Sequence, residues 1–302
     1  GWIHRANGYD RQHSPPDASH ERPSDDAGGA IGKLCSVTKP MKAGLVILGM
    51  ILIGLFAYVE TTQVEVTVHQ IGPAGDSSET ITVIQVSDLH IRSMGRRELA
   101  VVGHLNALKS DLLVLSGDVI DDATNLPVLE RFLASLEPGN KVAVLGNWEH
   151  WSGVDLSDLR ALYGRYGVRL LVNEQVSYHV GKRRLAVAGL DDHTAGTPNS
   201  AVVKSLASHG EVSLVVQHSP SWFEATAALN QSHPASLCLA GHTHGGQIAP
   251  FGMVMWTPRG SGHFIAGRYE LVSCPLYISR GIGTSIAPLR IGARPEIALF
   301  KL

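Results

Sequence analysis

At 302 residues, with 44% hydrophobic and 17% charged content, the chain has the composition of a globular protein able to bury one sizeable core or two small ones. Its 25 Lys and Arg against 27 Asp and Glu give a formal net charge of -2, so no basic field holds a nucleic-acid backbone, and nucleic acid is not an expected partner. Cys35, Cys238 and Cys274 include no C-x-x-C pair and are too scattered for a disulfide framework; they leave the redox compartment open, and Cys238, inside an apolar run, reads as a small core residue.

Residues 1–40 are rich in Pro, Ser, Asp, Gly and His without apolar periodicity, which predicts a disordered tail. Met41 and Lys42, followed at once by an apolar run, have the layout of a start, so that tail is expected to lie upstream of the native N-terminus. The run "AGLVILGMILIGLFAYV", Ala43 to Val59, carries no charge. As a helix it spans about 26 Å, the lower limit for crossing a hydrocarbon core. No cleavage site of A-x-A type follows it, so residues 41–60 are expected to be an uncleaved transmembrane signal anchor and not a cleaved signal or a buried core helix. Lys33, Lys39 and Lys42 precede the run and the next Lys or Arg is Arg92. The positive-inside rule then places the N-terminus in the cytoplasm, giving a single-pass protein of the cell inner membrane with residues 61–302 as an extracytoplasmic domain.

From about Glu65 short apolar runs alternate with helical stretches. "TITVIQVS", "DLLVLSG", "KVAVLGN", "RLAVAGL", "VSLVVQH" and "SLCLAGH" read as buried strands, and "RPEIALFKL" as a last one. "RRELAVVGHLNALKS", "LPVLERFLASLE" and "DLSDLRALYGRYG" read as amphipathic helices. This alternation predicts an α/β core with ligand sites at the carboxyl ends of its strands.

Those ends carry a distinctive set of side chains. "SDLH" brings Asp88 and His90, "GDVID" Asp118, "GNWEH" Asn147, "QHSP" His218, and "GHTHGGQ" His242 and His244. Residues two apart on extended chain share a face, so Asp88 with His90, and His242 with His244, can converge. Singly, each has a bland reading: a lone histidine is usually hydrogen-bonded, and an aspartate after glycine is often a turn residue or cap. Together, two aspartates, an asparagine and four histidines exceed what one tetrahedral ion takes and suit two divalent ions sharing a carboxylate. Nitrogen and oxygen donors without thiolate point to Mn, Fe, Zn or Co.

In this order the motifs resemble the signature of the calcineurin-like metallophosphoesterases over residues 80–250. "GHTHGGQI" with "YISRGIGTSIAPLRIGARPEIALF" is similar, more narrowly, to the membrane-associated bacterial phosphodiesterases of the YkuE and YaeI type. The resemblance implies a four-layer α/β/β/α sandwich and a dinuclear site, with Asp88, His90, Asp118 and His244 on one ion and Asp118, Asn147, His218 and His242 on the other. It implies hydrolysis of a phosphate ester by a hydroxide held between the ions, with Asn147 donating a hydrogen bond to the phosphate. Relatives carry histidine after the asparagine to serve the leaving group; here that residue is Trp148, and His150 either replaces it or is structural. Without an acid, the enzyme would favour good leaving groups.

Weaker candidates surround this set. Arg280 is offered either to a phosphate or to the surface, and Arg92, Arg96 and Arg97 either to a headgroup or to solvent. Trp148, Trp151, Trp222 and Trp256 are offered either to an acyl or base pocket or to the core, with most expected in the core, and Asp191 or Asp192 is placed behind a ligand histidine. The expected function is a membrane-anchored phosphodiesterase acting on a phosphorylated small molecule or lipid of the envelope. The alternatives are a UDP-2,3-diacylglucosamine-type pyrophosphatase, whose cytoplasmic substrate conflicts with the expected orientation, a protein phosphatase, and a metal-binding scaffold without catalysis.

Overall fold

The computed structural model describes residues 39–72, 80–204, 206, 212–226 and 235–302; most of the expected disordered tail lies outside the described residues. The described residues fall into two units, 39–49 and 50–302. The apolar run forms helix α1 (Lys39–Thr62), whose 22-residue stretch Met41–Thr62 is long and apolar enough to cross a membrane. Ile51, Leu52, Ile53, Leu55 and Phe56 are all more than half exposed, so no protein core covers this helix as it would a core helix.

Among the described residues twelve strands follow: β1 (Glu65–Gln70), β2 (Thr82–Val86), β3 (Leu112–Leu115), β4 (Lys141–Ala143), β5 (Val168–Leu170), β6 (Glu174–Val180), β7 (Arg183–Gly189), β8 (Val212–Val216), β9 (Leu237–Ala240), β10 (Gly267–Glu270), β11 (Pro275–Ile278) and β12 (Glu296–Lys301). The helices between them are α2 (Arg96–Ala107), α3 (Leu126–Ala134), α4 (Asn147–Trp151), α5 (Leu156–Arg165), α6 (Ala201–Lys204) and α7 (Ser221–Ala225). One sheet has the order β1-β12-β2-β3-β4-β5, the other β10-β11-β9-β8-β7-β6. The chain passes from one to the other between β5 and β6, where Asn173 takes φ 57°.

Side-chain alternation separates the layers. In β3, Leu113 and Leu115 pack under the helices with Val101, Phe132 and Leu159, while Leu112 and Val114 face Leu185, Leu214 and Leu239 of the second sheet. In β9, Leu237 and Leu239 join that inter-sheet core, and Cys238 and Ala240 turn outward to Trp222, Phe223 and Phe264. The result is the α/β/β/α sandwich. Burial on both faces explains why the strands read as continuous apolar runs without a period of two. β2 to β5 are parallel, as are β7, β8 and β9, so each set delivers its carboxyl ends to one edge.

The cysteines require a correction. Cys238 and Cys274 form a disulfide with Cα atoms 5.9 Å apart. β11 pairs in parallel with β9, and Cys274 immediately precedes β11, so two residues 36 apart in sequence become neighbours on adjacent strands. Spacing along the chain carries no sign of that pairing.

Candidate active site

The segments after β2, β3, β4, β8 and β9 lift polar side chains onto a common floor: Asp88 and His90, Asp118, Asn147, His218, and His242 and His244. Asp88, His90, Asp118, His242 and His244 all have positive φ, between 41° and 72°. Non-glycine residues rarely adopt this conformation, and its concentration on these five marks a locally strained, over-determined arrangement. Close approach supports it: a Cβ on Gly146 would overlap the Asp118 carboxylate, and one on Gly241 would overlap Ser87.

Two groups form there. Asp88, His90 and His244 each offer a ligand atom within 4.8 Å of the others, and so do Asp118, His218 and His242; all six residues are buried. The groups adjoin. Asp118 Oδ2 lies 3.0 Å from His218 Nε2 and 3.8 Å from His90 Nε2, and Asp88 Oδ1 lies 3.3 Å from His244 Nε2. Asn147 is buried beside them, on the lining shared by Asp118 and His242.

Hydrogen bonds decide which ring atoms are free. His218 Nδ1 donates to the Ser116 carbonyl at 2.8 Å, and His242 Nε2 donates to the Arg259 carbonyl at 2.7 Å. A carbonyl only accepts, so His218 keeps its lone pair on Nε2 and His242 on Nδ1. Burial lowers the pKa of His90, His242 and His244, which leaves them neutral with lone pairs to offer near pH 7. Burial also works against charge on His218, but the Asp118 carboxylate overcomes it and holds that imidazole well above its ordinary value, so Nε2 would offer its lone pair only once a cation displaces the proton it shares with Asp118. His90 Nδ1 and Asn147 Oδ1 are buried without a hydrogen-bond partner. Unsatisfied nitrogen and oxygen donors on a floor of this kind fit divalent ions.

Above the floor opens a pocket of about 990 Å3. Trp148, Trp151 and Trp256 line it, so the expectation that the tryptophans are mostly core holds only for Trp222, which is buried. His150 is not on the lining: its Nε2 lies 2.7 Å from Asp191 Oδ1. His193 is on the lining, as is Arg259. Arg280 faces Glu65 at 2.8 Å and Glu296 at 3.1 Å, Arg92 is paired with Asp121 and Arg97 with Glu98, while Arg96 is not among the lining residues. Asp192 accepts the hydroxyl of Ser219, the residue after His218, and Asp191 serves His150; neither contacts a histidine of the two groups.

The calcineurin-like phosphoesterase family model matches residues 81–246, more than half the chain. The chain belongs to this family. It is 30% identical over 263 residues to the metallophosphoesterase YkuE of Bacillus subtilis, covering 82% of this chain and 89% of that protein. It is 29% identical over 303 residues to a transmembrane protein with metallophosphoesterase domain from Bos taurus, covering 91% of this chain and 66% of that one. It is 26% identical over 260 residues to phosphodiesterase YaeI of Escherichia coli, covering 82% of this chain and 92% of that protein. Family and donor groups together make it a metal-dependent phosphoesterase.

Two residues of the site had gone unread in the sequence. The buried Glu149 carboxylate accepts the backbone N–H of Gly146 at 2.7 Å, Asp118 at 2.9 Å, Val119 at 2.6 Å and Ile120 at 3.2 Å. Burial and the Asp118 charge push its carboxyl up to about 7, against those four donors. Its one sequence signal is an acid at the third position of α4 after Gly146, the pattern of a helix cap. Arg290 is fully buried and donates to the carbonyls of Gly283 at 2.7 Å, Arg280 at 2.8 Å and Ala293 at 2.9 Å, with Nη2 3.1 Å from His244 Nδ1. Nothing in "PLRIGARP" distinguishes it from a surface arginine.

Proposed function

We propose that the protein is a membrane-anchored phosphodiesterase that cleaves a phosphate ester bond in a lipid or envelope component. The observation that carries this reading is the pair of adjoining buried Asp/His groups, each with ligand atoms within 4.8 Å, at the floor of an accessible pocket. In this reading Asp88, His90 and His244 would hold one divalent ion, Asn147, His218 and His242 would hold the other, and Asp118 would serve both. Such ions supply charge against the phosphate oxygens and lower the pKa of the attacking water toward neutrality.

The rest falls to the chain. The Asn147 amide and the Arg259 guanidinium bind phosphate oxygens; among the described residues Arg259 makes no ion pair, which leaves it available. The task of protonating the leaving oxygen passes from His150, held by Asp191, to His193, which together with His242 and His244 makes up the histidines on the lining. The likeness to a protein named phosphodiesterase supports a diester as substrate.

Two independent features support an extracytoplasmic domain: the lysines before the apolar run Ala43–Val59, and the Cys238–Cys274 disulfide, which belongs to an oxidising compartment. Both speak against a cytoplasmic nucleotide-linked substrate. The test is hydrolysis of bis-p-nitrophenyl phosphate and p-nitrophenyl phosphate by the full chain in detergent after metal stripping and readdition of manganese. Diester cleavage restored by metal supports the reading; cleavage of the monoester alone would sink it.

A further inference from the structure

Five large apolar side chains at one edge of the pocket lie uncovered. Phe251 is 98% exposed, Ile286 78%, Met255 73%, and Met253 and Trp256 each 59%. Single exposed apolar residues are ordinary, but four of these fall in the one segment Phe251–Trp256, which makes a contiguous patch. Ile286 belongs to a neighbouring loop fastened to the same region, since Gln247 accepts the Ser285 N–H at 3.1 Å and donates to the Ala287 carbonyl at 2.8 Å.

The base of this segment is tied to the end of the apolar helix. Ala249 N–H donates to the Ile291 carbonyl at 2.7 Å, and Gly292 N–H donates to Glu60 at 3.2 Å. Arg290 N–H donates to Thr61 Oγ1 at 2.8 Å, and Arg294 Nε pairs with Glu60 at 2.5 Å. The exposed apolar surface of α1 ends at Val59, one residue before these contacts, and Phe251 stands two residues from Ala249. The apolar segment therefore leaves the domain beside the point where the apolar helix enters it. Met255, Trp256 and Ile286 also line the pocket, together with Arg259, whose carbonyl accepts from His242 of the floor at 2.7 Å. A pocket that joins exposed apolar side chains to a histidine floor matches a lipid lying with its acyl chains outward and its phosphate inward.

We infer that Phe251–Trp256 and Ile286 form a rim that enters the lipid leaflet from which α1 emerges, so that the pocket opens at the level of the headgroups and takes a lipid phosphodiester directly from the bilayer. Aromatic and thioether side chains suit the boundary between headgroups and acyl chains. The inference rests on reading α1 as a membrane anchor and the site as a diesterase.

The experiment uses the full chain reconstituted in vesicles of phosphatidylethanolamine and phosphatidylglycerol. An environment-sensitive fluorophore is placed on Phe251→Cys, Met253→Cys or Ile286→Cys in a Cys35→Ser background, with Lys182→Cys in the exposed β6–β7 turn as reference. The rim predicts blue-shifted emission at 251, 253 and 286 and at least twofold quenching by lipids doxyl-labelled near the headgroup, with neither at 182. Emission at 251 and 253 equal to that at 182 would overturn the rim. Quenching at 251 and 253 but not at 286 would overturn entry of lipid at the pocket mouth. A blue shift that grows with protein-to-lipid ratio and is untouched by doxyl lipids would show a second copy of the chain on the patch, and would also overturn it. The readout needs neither metal nor turnover, so its failure is separate from a failure to hydrolyse bis-p-nitrophenyl phosphate.

Discussion

Glu149 accepts the backbone N–H of Asp118 at 2.9 Å, while Asp118 accepts the N–H of Trp148, the neighbour of Glu149, at 2.8 Å. Each acid thus pins the turn that carries the other, and the strands ending in Asp118 and Asn147 are locked at their carboxyl ends. Asp118 Oδ1 is spent on this latch, which leaves Oδ2 toward His218 and His90.

The latch sets a first prediction. Glu149→Ala strips the partners from up to four buried N–H groups and is expected to cost about 3–5 kcal/mol of stability. Glu149→Gln, which keeps one acceptor oxygen, should lose about half of that. Thermal melting of the two variants checks the order; equal melting temperatures for Ala and wild type would refute it.

A second prediction separates the histidines. The hydrogen bond that His150 donates to Asp191 raises the pKa of His150 against the opposing effect of burial. A raised folded-state pKa contributes stability that is full below the ordinary value of 6.5 and is lost as pH rises through the folded value. His150→Ala should therefore cost about 1 kcal/mol near pH 6 and less as pH rises through the raised folded-state value, with turnover of bis-p-nitrophenyl phosphate within about threefold of wild type. His193→Ala should do the reverse, with little change in stability and a loss of about 10²-fold or more on diesters with alkyl leaving groups, and far less on p-nitrophenyl esters. Chemical denaturation across pH and a leaving-group series read the two outcomes.

The disulfide gives a third. Cys274→Ser opens a 36-residue loop in the unfolded chain and exposes a buried polar hydroxyl to an apolar layer. The expected cost is about 3–4 kcal/mol. Alkylation of the unreduced, denatured chain followed by mass measurement should find only Cys35 labelled; labelling of all three cysteines would contradict both the bridge and the oxidising compartment.

The polar floor was legible in part because parallel strands place the residues after them on one edge, which gathers Asp88, Asp118 and Asn147 in one sheet and His218 and His242 in the other; that the two edges meet depends on the packing of sheet on sheet. The layers were legible through buried strand runs such as "DLLVLSG". What escaped depends on pairings between distant segments: Glu149 reaching the Asp118 turn, Arg290 reaching His244, and β11 bringing Cys274 beside Cys238. His150 and His193 show the same limit. Spacing placed His150 near Asn147, yet the turn of α4 directs its ring to Asp191, while the loop after β7 carries His193 to the pocket.

The central claim is that Asp118 stands between two bound ions that the hydrolysis requires. The most direct measurement is metal content by mass spectrometry of the full chain purified in detergent and dialysed against manganese, for wild type and Asp118→Ala, alongside bis-p-nitrophenyl phosphate turnover. About two ions per wild-type chain are expected, fewer in the variant, with a loss of turnover of about 10³-fold or more. Two ions retained in Asp118→Ala with turnover intact, or full wild-type turnover after complete stripping, would contradict it.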